Sequence, residues 1–338
     1  MNLVYYHPIA LKNKQPLHKC INPLISVLDR TENSWPNFEY LNLFPMLVTL
    51  EKRNFLELSY NRVKEIVNTS SHITVMWSGG IDSTFILCLF IELGLAQQLK
   101  SQNRFTIGLN LDSIKENPLM YENIIKKDFI DCVVQADKIL TNPDEYGSII
   151  TGEMADNLVG SLTMKSCVDF YNDFSVVHET WKTRGLSWFI RNLTANEKPQ
   201  VVELLESLVH RAPVEIYSSH DLFWYLNFNM KWQAVNFRIV SHCKDQDVGN
   251  KLINQLVHFF NTEDFQHWSL SEGHYFTGSK WGDYKMCMKE PIFKVTGDGN
   301  YLKYKTKHPS LPSLLRYKDT FDFIYKDNDR YIFTKEMI

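Results

Sequence analysis

The sequence predicts an α/β fold built on a parallel sheet, followed by a mainly helical second part. Three observations lead there. The stretch HITVMWSGGIDSTFILCLFIELG runs a short apolar segment into two glycines and out into a second apolar segment. Short apolar runs then alternate with amphipathic stretches to about residue 160, the rhythm of parallel strands joined by helices. From about residue 170 onward that rhythm stops.

Residues 1–70 form an N-terminal segment of mixed character. PNFEYLNLFPMLVTLEK reads as partly extended. FLELSYNRVKEIVNTS reads as an amphipathic helix, with Leu56, Leu58, Val63 and Ile66 near helical spacing. ITVMW (73–77) is a short apolar run between Ser71-His72 and Ser78-Gly79-Gly80, the pattern of a buried strand. Asp82, Ser83 and Thr84 offer capping side chains to a helix running to about Leu99. That helix is apolar nearly all round, so it is expected to be buried.

FTIGLNL (105–111) predicts the second strand, and NPLMYENIIKKDF (117–129) a helix with Pro118 in its first turn. IDCVVQ (130–135) and GSIITG (147–152) predict the third and fourth strands, and EMADNLVGSLTMK a short helix. Beyond it, VVHETWKTRGLSWFIRNL, KPQVVELLESLVHRA, DLFWYLNFNMKWQAVNFRIVSH and VGNKLINQLVHFF all read as helices. The expected organisation is an N-terminal segment (1–70), an α/β domain (71–170) and a mainly helical region (171–338).

Hydrophobic residues make up 44% of the 338-residue chain and charged residues 22%, within the globular range. A formal net charge of −3 supplies no global attraction to nucleic acid or acidic membranes, so neither is an expected partner. The densest apolar run, FILCLFI, is too short for a transmembrane span, and MNLVYYHPIALKNKQ lacks the pattern of a secretory signal. The six cysteines form no CxxC pair, which disfavours a zinc ribbon. Their scatter fits reduced thiols in a cytoplasm.

SGGIDS follows a strand and opens a helix. Consecutive glycines allow positive φ and let the backbone approach an anion closely. The N–H groups of the turn and first helical residues converge, and the helix dipole adds positive potential. Ser78 and Ser83 can add hydroxyl donors. Asp82 beside a bound phosphate requires a divalent cation between them, so the pattern implies phosphate together with Mg²⁺. Neither GxxxxGK[ST] nor GxGxxG is present here.

SGGIDS after an apolar strand resembles the pyrophosphate loop of the N-type ATP pyrophosphatases, which cleave ATP between the α- and β-phosphates. IITGEMADNLVG (149–160) sharpens the likeness. Thr151, Gly152, Glu153, Ala155, Asp156, Leu158 and Gly160 fall on the SGEGADELFGGY pattern of asparagine synthetases and β-lactam synthetase. The resemblance covers about 70–170 and implies an adenine nucleotide α-hydrolase-like, HUP-type PP-loop domain. It implies that Ser78, Gly79, Gly80, Asp82 and Ser83 hold pyrophosphate and metal. It places Met76 and Ile107 against adenosine, with Thr151 and Gly152 beside it.

Glu153 and Asp156 are three apart at a helix start, so they are expected to share a face. Asp156 would then aim at the same Mg²⁺ as Asp82, and Glu153 would orient the amine or take its proton. The family also uses a late lysine on the transferring phosphates. YLKYKTKHPSL offers Lys303, Lys305 and Lys307, with Lys305 the first choice and Lys307 next. Met154, Asn157, Val159 and Ser161-Leu162 depart from the pattern, which bears on substrate shape.

The first cysteine is Cys20, and residues 1–70 are too few for a glutaminase domain. The implied reaction is therefore an ATP-dependent, AMP-forming carbon–nitrogen ligation. A small-molecule carboxylate is adenylated, then captured by an amine or by ammonia, either free or from a separate nitrogen-donating partner. The rival readings are adenylation of a nucleic-acid base and a non-catalytic ATP-binding module.

Overall fold

The computed structural model describes residues 1–6, 29–31, 38–40, 53–160, 162–243, 245–273, 278–305, 321–336 and 338. Two sheets organise the described residues. The first strand, β1 (Asn2–Tyr6), belongs to a small antiparallel sheet discussed below. The larger sheet holds β2 (Ile73–Met76), β3 (Phe105–Leu109), β4 (Val133–Gln135), β5 (Ser148–Thr151) and β6 (Leu256–His258). All its pairings are parallel, in the order β4-β3-β2-β5-β6. The chain moves outward from β2 through β3 to β4, then returns to place β5 on the other side of β2. The order reverses between β2 and β5, where the carboxyl ends of neighbouring strands open a crevice.

β2 and β3 are buried almost throughout, as strands covered on both faces must be. One covering helix is Ile81–Glu92, with its side chains buried over most of its circumference. The expected single helix to Leu99 is in fact two. Gly94 adopts φ +69, and Leu95–Ser101 leaves at 75° to its predecessor. No single helix among the described residues is long and apolar enough to cross a membrane. The amphipathic helix Phe55–Thr69 forms as expected, capped by the Asn54 side chain on the N–H groups of Leu56 and Glu57.

Two other sequence expectations change. IDCVVQ is extended only from Val133 to Gln135, because residues 130–132 form a 3₁₀ turn. The helix expected from Glu153 onward is interrupted by Gly160 at φ +92, leaving Ala155–Val159 and then Leu162–Tyr171.

The region after 171 is not purely helical. VGNKLINQLVHFF divides into a helix, Gln246–Gln255, and β6, which extends the parallel sheet beside β5. The last strands, β7 (Phe323–Asp327) and β8 (Arg330–Thr334), pair antiparallel with β1 in the order β1-β7-β8. Both ends of the described chain thus share one sheet. It is tied to the body where Gln233 Nε2 donates to Val4 O at 2.9 Å, and where Phe333 packs on Gly249.

The centre of the helical part is Ser219–Met230, buried along its whole length and started by a Ser218/Asp221 capping box. A turn further on, Trp232–Phe237 leads toward β6. A later helix, Met286–Thr296, packs along Ile81–Glu92. That packing brings the residue before Met286 beside the double-glycine turn.

Candidate functional site

The turn after β2 is locked by its own side chains. The Ser78 N–H donates to Ser83 Oγ at 3.0 Å, and the two serine hydroxyls lie 3.0 Å apart. Gly79 has φ +77, and a Cβ there would overlap the Ser113 carbonyl oxygen. Only glycine fits, on both counts. Gly80 is the N-cap and no side chain caps the helix, so Asp82, Ser83 and Thr84 do not cap as expected. Instead Thr84 Oγ1 accepts from Trp77 Nε1 at 3.0 Å. No side chain caps the first-turn N–H groups at this end.

The segment after β5 lies directly against this turn. A Cβ on Gly152 would stand 3.0 Å from both Asp82 Cβ and Ser83 N. Thr151 is buried, with its hydroxyl 2.7 Å from His258 Nδ1 on β6. The other ring nitrogen, Nε2, lies 2.9 Å from Asn236 O. Burial holds the His258 imidazole below its ordinary value. This buried histidine links Thr151 on β5 to Asn236 as a packed strut.

Met154 sits at φ +73, a left-handed conformation unusual for a non-glycine residue. This kink separates the two acids that were expected to share a face. Glu153 precedes the helix and forms an ion pair with Arg238 Nη2. Asp156, inside the helix, faces Lys285 Nζ at 2.8 Å and accepts from Tyr284 Oη at 3.2 Å.

Lys285 is the residue that sequence reasoning missed. Its side chain is only 1% exposed, and its ammonium also pairs with Asp82. Asp82 and Asp156 are thus brought to one point, as expected, around an ammonium group. Lys285 stands at φ +56 just before the helix Met286–Thr296, whose packing on the loop helix aims the side chain inward. In the sequence it is one of several lysines in a tail rich in Gly, Lys and Tyr, with no local pattern to mark it.

The late lysines take different positions. Lys305 Nζ pairs with the Glu116 carboxylate and donates to Glu116 O at 3.1 Å. Glu116 in turn packs against Gly79, so Lys305 reaches the turn through Glu116. Buried Lys289 fixes that approach by donating to the carbonyls of Gly282 at 2.5 Å and Lys305 at 3.1 Å. Lys303 lies in the helix Gly299–Tyr304. Lys307 lies outside the described residues.

Met76 ends β2 half-buried over Gly108. Ile107 is fully buried, paired with Val75 in mid-sheet, and its side chain is closed off from the crevice. Among the described residues no three His, Cys, Asp or Glu side chains gather as a metal-ligating group. Two carboxylates, Asp82 and Asp156, do converge on one cation, and two carboxylates with substrate oxygens are a common Mg²⁺ donor set. The arrangement therefore brings the double-glycine turn, the Asp82–Asp156 pair held on Lys285 and the Glu153–Arg238 pair together at the sheet's switch point. No protein-family model matches the chain, and no curated protein matches it.

Proposed function

We propose that the chain is an asparagine-synthetase-like, ATP-dependent ligase of the PP-loop, HUP-type class that forms an amide and releases AMP and pyrophosphate. One observation carries this reading. Asp82 after β2 and Asp156 after β5 meet on a single buried ammonium, Lys285, beside an uncapped double-glycine turn. The turn supplies converging N–H donors for the pyrophosphate. Asp82 and Asp156 are the residues that would hold Mg²⁺, which would offset phosphate charge and polarise the α-phosphorus.

In this reading the chain's own groups hold the leaving pyrophosphate. Ser78, Gly79, Gly80 and Ser83 bind the β- and γ-phosphates. Thr151 and Gly152 border the nucleotide, with Met76 at the adenosine side. A substrate carboxylate oxygen attacks the α-phosphorus, the α–β bond breaks, and pyrophosphate leaves. Lys285, whose ammonium lies between Asp82 and Asp156 beside the turn, is the chain's own cation nearest the phosphates and would stabilise the charge that develops on the bridging oxygen. Lys305, paired with Glu116 beside Gly79, is a second cation at the turn. Ammonia or an amine then displaces AMP from the acyl carbon, and Glu153 takes the proton the nitrogen loses.

The test is to incubate the chain with Mg·ATP and pools of carboxylates, amino acids and RNA, with and without ammonia. Carboxylate-dependent AMP and pyrophosphate, with an amide product when a nitrogen donor is present, is the expected result. RNA-dependent AMP release would move the chemistry to a nucleic-acid base, and ADP formation would end the proposal.

A further inference from the structure

A buried imidazole that takes no part in the proposed chemistry stands between the two halves of the Glu153–Arg238 pair. His258 closes β6, opposite Thr151 at the end of β5. Its two ring nitrogens reach different elements. Nδ1 lies 2.7 Å from the Thr151 hydroxyl, and Nε2 lies 2.9 Å from the Asn236 carbonyl oxygen. Thr151 comes two residues before Glu153, and Asn236 comes two residues before Arg238. The ring is therefore a spacer between the two backbone segments whose side chains meet in the ion pair.

The partners dictate which nitrogen carries the proton. A carbonyl oxygen only accepts, so Nε2 donates to Asn236. Burial keeps the ring neutral, which leaves Nδ1 as an acceptor. The Thr151 hydroxyl then donates to Nδ1 and turns its lone pairs toward the Glu153 N–H, 3.4 Å away. The opposite tautomer would set lone pair against lone pair between Nε2 and Asn236 O. A second path braces the same helix but is longer. Asn261 Nδ2 donates to Asn236 Oδ1 at 3.4 Å, and Trp232 Nε1 to Asn261 Oδ1 at 2.9 Å. Each buried polar group would be costly alone; paired, both are satisfied, and the pairing works at one spacing only.

We infer that His258 is a positioning residue for Glu153: by holding Thr151 and Asn236 at one spacing, it seats the Glu153 carboxylate on Arg238 and presents that acid to the amine in one fixed placement. The inference rests on the proposed ligase reading, in which Glu153 takes the proton that the nitrogen loses. Displacing a reacting group by about 1 Å is enough to slow a step on the order of 10²-fold, so the spacing bears directly on rate.

Nuclear magnetic resonance of the full chain tests the spacer without turnover. In ¹⁵N-histidine-labelled protein, the His258 signals, identified by their loss in His258→Gln, are expected to show a proton on Nε2 and none on Nδ1. A proton on Nδ1 overturns the assignment. In ¹⁵N-arginine-labelled protein, the buried Arg238 Nε–H reports on the seating of the pair. Its hydrogen exchange is expected to quicken ~10-fold or more in His258→Gln and Thr151→Val, and to return to within ~3-fold of wild type in Thr151→Ser, which restores the hydroxyl. Thr151→Val keeps the test available if His258→Gln does not fold. Exchange unchanged in both variants, or rising only in step with the core amides of β2, overturns positioning.

Turnover then separates the two ideas. With Mg·ATP, a carboxylate and ammonia, His258→Gln is expected to lower the turnover number of amide formation ~10-fold or more, with the KM for ATP within ~3-fold of wild type. Amide formed at the wild-type rate, or a loss carried by KM instead, refutes positioning and leaves the ligase reading standing. Faster Arg238 exchange in the variants, with no AMP from any carboxylate in the wild type, refutes the ligase reading and leaves His258 as the spacer of the Glu153–Arg238 pair.

Discussion

Replacing Lys285 with methionine removes the one cation between Asp82 and Asp156 while keeping the side chain's length and apolar stem. In the wild type both carboxylates bond the same ammonium, so the facing oxygens lie within ~5–6 Å of each other. At an effective dielectric near 20 their mutual repulsion is roughly 3 kcal/mol once the ammonium is gone. Breaking a buried ion pair by removing one partner costs about 3–5 kcal/mol, which agrees. The two carboxylates keep side chains 21% and 25% exposed, so partial solvent screening places the cost toward the lower end of that range.

Lys285→Met is therefore expected to unfold ~3–5 kcal/mol more easily in urea, and to melt roughly 4–7 °C lower. The explanation is electrostatic, so it predicts its own rescue. Adding Asp156→Asn removes one of the two repelling charges and should restore roughly 1–3 kcal/mol as a non-additive term in the double-mutant cycle. A Lys285→Met protein within ~0.5 kcal/mol of wild type, or a strictly additive double variant, would refute the coupling between the turn after β2 and the segment after β5.

Three further outcomes follow from the same geometry. Gly79→Ala must force a Cβ at φ +77 into the Ser113 carbonyl, and should cost ~2 kcal/mol or more in thermal or urea unfolding while abolishing AMP release. His258 and His72 are held below the ordinary 6.5 chiefly by burial, so the unfolded chain takes up protons that the folded chain refuses. Stability is then full above about pH 6.5 and falls as pH drops below it. His258→Gln should shrink that fall in a pH series of urea melts, with the part due to His72 remaining. Glu153→Gln should leave carboxylate-dependent ATP–pyrophosphate exchange within ~10-fold of wild type, yet slow amide formation ~10²-fold or more, as read by product analysis.

Much of the candidate site's placement was legible in the sequence because its two segments are local patterns. SGGIDS and TGEMAD each follow an apolar run, and strand–turn–helix grammar places both at strand ends. That Asp82 and Asp156 meet follows from β2 and β5 being neighbours, which needs only the crossover order. The helix break at Gly94 was harder to see, because an all-round apolar helix gives no phase shift to reveal a bend. β6 is three residues long and fused to the preceding amphipathic helix, so its strand character appears only through its pairing with β5.

Lys285 and Arg238 were invisible for a related reason. Each reaches the site from far along the chain, by helix packing in one case and by a short helix leading to β6 in the other. Charged residues that act through tertiary contact leave no periodicity behind. Met154 misled in the opposite direction. Helical spacing puts Glu153 and Asp156 on one face, but a left-handed residue between them sends one acid to Arg238 and the other to Lys285.

The central claim is that a carboxylate oxygen attacks the α-phosphorus of ATP. The most direct measurement supplies a carboxylate labelled with ¹⁸O on both oxygens, together with Mg·ATP and ammonia, and analyses the nucleotide product by mass spectrometry. The mechanism requires one ¹⁸O to pass into AMP as the amide forms. Labelled AMP is the predicted result; unlabelled AMP, or ADP in its place, would contradict the account.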